Sequence, residues 1–200
     1  RSVQQTSDGG FIITGSGKST TATGNPNVFL KKTDGNGIEQ WSYDFGNANL
    51  FQSGCSVQQT TDGGYIIAGV TTDIAFGPYV VLLIKTDGSG TEQWTKTLAG
   101  ISSQGGYSVQ QTTDGGYIIT GYALDVTFGS TNVLLIKTDA NGIEQWSQTF
   151  GGTGNDEGHS VQQTTDGGYI ITGYTSTFGN GSYDVYLIKT DGSGIEQWTK

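Results

Sequence analysis

Ser108–Tyr122 reads SVQQTTDGGYIITGY, and the same run returns unchanged as Ser160–Tyr174. Ser56–Val70 departs from it only at Ala68 and Val70, and Ser2–Ser16 is a looser copy. The copies begin 54, 52 and 52 residues apart. A second block, Lys-Thr-Asp followed by a glycine-rich turn and Glu-Gln-Trp, ends at Trp41, Trp94, Trp146 and Trp198. Self-similarity at a fixed period marks an array of small supersecondary units. The 200 residues therefore read as a single repeat domain, 1–200, with units at about 1–55, 56–107, 108–159 and 160–200.

In the last unit, Ser160–Thr164 predicts a first strand, A. Asp166-Gly167-Gly168 predicts a two-residue hairpin, because Asp-Gly readily supplies the positive φ that such turns need. Tyr169–Tyr174 follows as strand B. Val185–Thr190, mostly apolar, has the pattern of a strand C buried on both faces. Asp191–Gly194 turns the chain into strand D around Glu196–Trp198. No segment carries a helical period, and 34 glycines work against helix. Pro26 and Pro78 fall between strands B and C, where no ladder hydrogen bond is lost.

A lone four-stranded sheet cannot bury both faces, so the units must pack on one another. Four strands per period fit blades, whereas solenoid coils usually run to about 20–30 residues. The expected fold is all-β, a β-propeller of four four-stranded antiparallel blades with A nearest the axis. Trp41, Trp94, Trp146 and Trp198 are expected to be structural, with Trp94 and Trp146 largely buried between adjacent blades. Three closures stay open: a four-bladed ring, half of an eight-bladed ring made by two chains, or part of a longer array.

Two stretches, GGTGNDEGHSVQQTTDGGYIITGYTSTFG from Gly151 and DVYLIKTDGSGIEQW from Asp184, carry a family likeness. They resemble the bacterial β-propeller repeats of secreted and surface proteins, the SBBP type. The shared order is Gly-Gly, an acidic pair before glycine, an Asp-Gly turn, a strand ending Thr-Gly-Tyr, and a lysine–aspartate hairpin. The late tryptophan resembles the docking tryptophan of quinoprotein-type propellers. The resemblance spans essentially the whole chain. It implies the propeller fold and an extracellular or cell-surface location, without a shared chemistry. The chain opens on Arg1 with no initiating methionine or leader, which reads as a processed product or a fragment.

Composition narrows the partners. Asp and Glu number 18 against 9 Lys and Arg, a formal charge of −9. Nucleic acid and anionic membrane surfaces both require a cationic face, so neither is an expected partner. No apolar run approaches the roughly 18 residues of a membrane span, and no membrane insertion is expected. One cysteine excludes an internal disulfide, and one histidine excludes a multi-histidine metal centre.

Several motifs invite chemistry and are better read as structure. Thr14-Gly15-Ser16-Gly17-Lys18-Ser19-Thr20 looks like the end of a phosphate-binding loop, but Ile12 stands where the motif needs glycine, and Pro26 follows instead of a helix. With Gly88 and Ser89 as a turn, Lys85 would face Glu92. The same register would pair Lys32 with Glu39, Lys137 with Glu144 and Lys189 with Glu196, as structural cross-strand ion pairs. Asn155, Asp156 and Glu157 form an acidic loop with too few oxygens for calcium, whose site takes six to eight. His159 shares its slot with Cys55 and Tyr107, which suggests a partly buried structural side chain. No catalytic residue, metal or cofactor is expected.

The four units serve as an internal alignment. The A–B and C–D turns are nearly constant, while the B–C and D–A loops differ in every unit. Constant turns specify the fold, and loops on a rigid frame carry recognition. A ligand site is therefore expected on the variable loop face, at Tyr107, Tyr122, Asn155, Asp156, Glu157, Tyr174 and Tyr183. Phe76, Phe128 and Phe178 read as anchors of their own loops. The expected function is a non-enzymatic extracellular or cell-surface scaffold for protein interaction or self-assembly, as a homo-oligomer or filament. The alternative is a multivalent lectin that binds glycans.

Overall fold

The structure, a computed structural model, describes all residues except 19–25, 47–49, 73–76, 99 and 101, and the side chain at 18. It divides into two compact units, Arg1–Ala99 and Gly100–Lys200. The first unit holds β1 (Ser2–Gln5), β2 (Phe11–Lys18), β3 (Pro26–Thr33) and β4 (Glu39–Phe45) in one sheet. Its second sheet holds β5 (Gln52–Gln59), β6 (Tyr65–Thr72), β7 (Tyr79–Thr86) and β8 (Glu92–Leu98). The second unit repeats this with β9 (Gln104–Gln111), β10 (Tyr117–Asp125), β11 (Ser130–Thr138) and β12 (Glu144–Phe150). Its other sheet is β13 (Asp156–Gln163), β14 (Tyr169–Thr175), β15 (Asp184–Thr190) and β16 (Glu196–Thr199).

Every sheet runs antiparallel in the order A-B-C-D, as the repeat predicts, and no helix occurs among the described residues. The fold is all-β and blade-like. Strands C, such as Val80–Ile84, are buried on both faces, while strands D expose most of their side chains. Pro26 opens β3 rather than lying before it, a place where proline costs no ladder bond.

The hairpins differ from the expected two-residue turns. In the A–B turn, Thr164 N–H donates to Gly168 O and Gly167 N–H to Thr164 O, each at 2.9 Å. Gly167 sits at φ 82°. This is a longer loop closed by one left-handed glycine. The C–D turns likewise close on Gly37, Gly90, Gly142 and Gly194. They place a bulge in strand D, so Thr86 faces Glu92 while Lys85 faces Trp94.

That register overturns the lysine–glutamate pairs. Lys32, Lys85, Lys137 and Lys189 are buried and meet the aspartate of their own A–B turn. The partners are Asp8, Asp62 and Asp114 at 2.8 Å and Asp166 at 3.0 Å. Each ammonium also donates to the following threonine carbonyl and to a strand-D glutamine, as Lys85 does to Thr86 O and Gln93 Oε1. Glu39 pairs with Lys31 instead, at 2.6 Å.

Within each unit, one sheet packs its apolar face on the next. Ile12, Val28, Leu30 and Phe45 meet Val57, Tyr65, Ile67 and Ile84, with Trp41 at the margin. Ile118, Val133, Leu135 and Phe150 meet Val161, Tyr169, Ile171 and Ile188, with Trp146 at the margin. Trp94 and Trp146 are half-buried rather than largely buried, and Trp198 is exposed, because each lies on an outer strand. The constant SVQQ block has a further use. Gln4 Oε1 accepts from Gln59 N–H and Gln110 Oε1 from Gln163 N–H, both at 2.6 Å, clasping one strand A to the next.

Strands A start earlier than expected, at Gln52, Gln104 and Asp156 rather than at Ser56, Ser108 and Ser160. The cause is a β-bulge. Gly54 pairs with Gly69 and Ser56 with Ala68, so Cys55 is the extra residue; Tyr107 and His159 are its counterparts. The sheet boundaries therefore fall a few residues before 55, 107 and 159.

Candidate binding site

A bulge leaves one residue unpaired and re-aims its side chain. The neighbouring glycines make it possible. A Cβ at Gly121 would lie 1.9 Å from Gly105 O, and one at Gly173 would lie 1.8 Å from Glu157 O. Tyr107 and His159 are thus held by backbone geometry at the end of the sheets that carries the B–C and D–A loops.

There they build a continuous row of rings. Tyr122 lies 5.5 Å from Tyr107 between ring centres, and Tyr107 stacks on His159 at 5.3 Å with 12° between planes. His159 lies 5.4 Å from Tyr174, and Tyr174 meets Tyr183 edge-on at 5.0 Å. Four of the sequence-derived site residues are therefore brought together: Tyr107, Tyr122, Tyr174 and Tyr183. His159 joins them at the centre of the row, half in water and so more exposed than the expected partly buried position. The signal for it was present: it fills the slot of Tyr107. In the first unit the positions that match Tyr107, Tyr122, His159 and Tyr174 hold Arg1, Ser16, Cys55 and Val70, none of them aromatic.

The acidic loop divides into three roles. Glu157 lies under the row, with its carboxylate 3.9 Å from His159 Nε2 and 3.5 Å from Thr131 Oγ1. Burial, followed by a hydrogen bond to Glu157, holds the Tyr174 hydroxyl far above the usual tyrosine range, so it remains a donor. Asn155 is exposed, and its Oδ1 accepts from Thr131 N–H at 3.1 Å, tying the last sheet's loop to the sheet before it. Asp156 is fully buried. It accepts from Gly152 N–H at 3.0 Å, from Thr177 Oγ1 at 2.7 Å and from the Thr175 hydroxyl, which pins the D–A loop to the B–C loop. Its carboxylate is thus turned inward, away from any ligand.

Two clefts open at the same end. One of about 280 Å³ is walled by Phe178, Asp184, Tyr186 and Lys200. The other, of about 270 Å³, is walled by Gln104, Leu124, Asp125 and Asn132. Burial, with Glu196 and Asp156 nearby, pushes the Tyr186 hydroxyl up to about 12. Phe178 packs on Tyr186 at 5.6 Å, as an anchor would, yet stays half exposed; Phe128 is exposed as well. Phe76 lies outside the described residues.

Thr14–Lys18 of the phosphate-loop look-alike is part of β2, with Ser19 and Thr20 outside the described residues. Cys55 is mostly buried, and burial pushes its thiol up. Among the described residues, no group of three His, Cys, Asp or Glu is placed to hold a metal ion.

No protein-family model matches the chain. No curated protein matches it either. Among solved structures, it is similar to a protein of unknown function from Dyadobacter fermentans. The TM-score is 0.61 at 11% identity, over 97% of this chain and 50% of that one. A glycosyl hydrolase from Bacteroides ovatus aligns at TM-score 0.48 and 9% identity, over 96% of this chain and 67% of that one. The first likeness is one of fold. This chain spans about half the length of that structure.

Proposed function

We propose that this chain is a non-enzymatic, propeller-like binding scaffold that engages a protein partner at the B–C and D–A loop end of its second unit. The observation that carries this reading is the row Tyr122–Tyr107–His159–Tyr174–Tyr183. Tyr107 on its β-bulge and Tyr122 and Tyr174 on strands B offer large amphipathic contact area at low ordering cost. Such residues are enriched where proteins meet. An extracellular or cell-surface location is part of the same proposal and rests on the resemblance to surface-protein repeats. The test is affinity capture from the native extracellular fraction by the wild-type chain and by a Tyr107→Ala/Tyr174→Ala variant of equal stability. A partner retained by the first and lost by the second supports the reading. Equal retention by both refutes it.

A second reading, a lectin, is favoured by the polar flank of the same row. Glu157 and the phenolic hydroxyls lie beside the rings, a combination that serves sugars through hydroxyl hydrogen bonds and C–H stacking. Binding of defined glycans on an array, abolished by Tyr174→Ala, would establish it over the protein reading.

A further inference from the structure

Buried charges in the second unit come with their partners. Lys137 and Lys189 each meet a turn aspartate, and Asp156 accepts from Gly152 N–H and from two threonine hydroxyls. Glu157 departs from that rule. Its side chain is only 18% exposed. Its carboxylate accepts from the Tyr174 hydroxyl, and Thr131 Oγ1 lies at a slack 3.5 Å. His159 Nε2, at 3.9 Å, is beyond hydrogen-bond reach. Among the described residues no lysine or arginine pairs with this acid. A carboxylate so far withdrawn from water gains from a cation brought to it.

The strand register puts the acid among rings. Glu157 pairs across the strands with Tyr174, where two other sheets pair Ser53 with Val70 and Gly105 with Tyr122. Of these three sheets, only the last carries an acid there. Tyr107 and Thr131 belong to the third sheet, and Glu157, His159 and Tyr174 to the fourth, so the place is complete within one unit. Tyr107 and His159 are 12° from parallel, and His159 and Tyr174 incline by 34°. Tyr183, at 85° to Tyr174, makes an end wall. The rings form a shallow curved floor rather than a closed box.

Ring faces are electronegative and attract cations. A closed aromatic box suits a round quaternary ammonium. A shallow floor beside a carboxylate suits a flat guanidinium, which stacks on rings and offers N–H groups at its edge. The surrounding charge has the matching sign. Glu157 and Asp156, both acids, act on the Tyr174 hydroxyl, while Lys137 and Lys189 are committed to Asp114 and Asp166 at the A–B turns.

We propose that this place seats an arginine side chain of the protein partner, its guanidinium against the Tyr174 and His159 rings and its N–H groups on the Glu157 carboxylate. The inference rests on the reading of the row as a protein-binding surface and adds the chemistry of the contact. In a setting partly shielded from water, such a charge-assisted bond is stronger than on an open surface.

The experiment is an NMR titration of the whole chain with acetyl-Gly-Arg-Gly-amide and with its lysine and citrulline counterparts. Citrulline keeps the shape of arginine and lacks its charge. The arginine peptide should shift the His159 and Tyr174 ring signals saturably. It should bind at least about 10-fold more tightly than the citrulline peptide, and more tightly than the lysine peptide. Glu157→Gln keeps an acceptor for the Tyr174 hydroxyl and should weaken the arginine peptide about 10-fold or more, with an unchanged circular dichroism spectrum. On the wild type, raising salt from about 20 mM to about 500 mM should weaken the arginine peptide and leave the citrulline peptide unchanged. No saturable shift, citrulline or lysine binding as tightly as arginine, or wild-type affinity in Glu157→Gln would overturn the proposal. Partner capture separates it from the reading beneath it. A partner lost by Tyr107→Ala/Tyr174→Ala but retained by Glu157→Gln overturns the arginine contact and leaves protein binding standing. A partner retained by both variants overturns both.

Discussion

Lys85 Nζ lies 2.8 Å from Asp62 Oδ2, and the two sit very differently: the lysine is buried, while the aspartate is more than half in water. The pair recurs in every sheet, which explains the constancy of both Asp-Gly-Gly and Lys-Thr-Asp. The lysine fills its three donor positions with Asp62, Thr86 O and Gln93 Oε1. Removing the acid should therefore hurt more than removing the base. Asp62→Asn keeps the turn acceptor for Thr60 and Gly64 but leaves a buried ammonium short of its counter-charge. We expect a loss of about 2 kcal/mol, below the roughly 3–5 of a fully buried pair because water screens Asp62. Lys85→Met leaves a hydrated carboxylate and withdraws one donor from Thr86 O and from Gln93 Oε1, and should cost about 1 kcal/mol. Urea unfolding of both variants checks the order.

The same aspartates set the acid limit. Burial alone would raise Asp62 and Asp114. Hydrogen bonds from Lys85 or Lys137, from the turn threonine and from a glycine N–H outweigh it, bringing both carboxyls down to about 2 from 3.8. Asp8 is also held low, first by Lys32. Asp166 is held low first by Thr164 and then by Lys189. A depressed folded-state value means stability that is full above pH 3.8 and lost as pH falls towards 2. Unfolding midpoints measured across that window should drop steeply, and Asp62→Asn should flatten the slope. A slope unchanged by the variant would count against this account.

Glycine at the bulges has a steric cause. Gly121→Ala would drive a methyl group into Gly105 O, 1.9 Å away and part of the backbone. The strand must move, so the substitution should cost about 2–3 kcal/mol, in the range of overpacked cores. Alanine at Gly115, where a Cβ meets nothing within 4 Å, should be destabilising only through its φ of 84°. Thermal unfolding of the two variants separates steric from conformational cost.

Much of this was legible in the sequence. Strand order, turn positions and the apolar strand C follow from a pattern written four times, with Ile67 and Leu83 as plain as any core residue. The register of strand D was not legible, because a single left-handed glycine, Gly90, adds a residue to the turn and shifts every partner beyond it. The bulge at Tyr107 was hidden for the same reason: it depends on how closely Gly105 O approaches Gly121, which no residue-type pattern records. Its effect on the site was large. The strand that the pattern starts at Ser160 begins at Asp156, which puts His159 between Tyr107 and Tyr174 in the aromatic row.

His159 and Asp156 are near neighbours in sequence with opposite predicted consequences. His159 is half exposed and bonds the fold mainly through ring contacts, so His159→Ala should cost less than about 1 kcal/mol. It should nevertheless break the row between Tyr107 and Tyr174 and weaken any ligand held there. Asp156 is buried, and its removal strands Gly152 N–H, the Thr175 hydroxyl and the Thr177 hydroxyl without their acceptor. Each such loss runs to about 1–3 kcal/mol, so Asp156→Ala should cost about 3 kcal/mol or more. Hydrogen exchange at Thr175–Phe178 should quicken in that variant and remain slow in His159→Ala. Partner or glycan binding should fall in both, in the first through a missing contact and in the second through a loosened loop. If His159→Ala destabilised the chain as much as Asp156→Ala, the ring stack would be part of the core and the row would lose its standing as a binding surface.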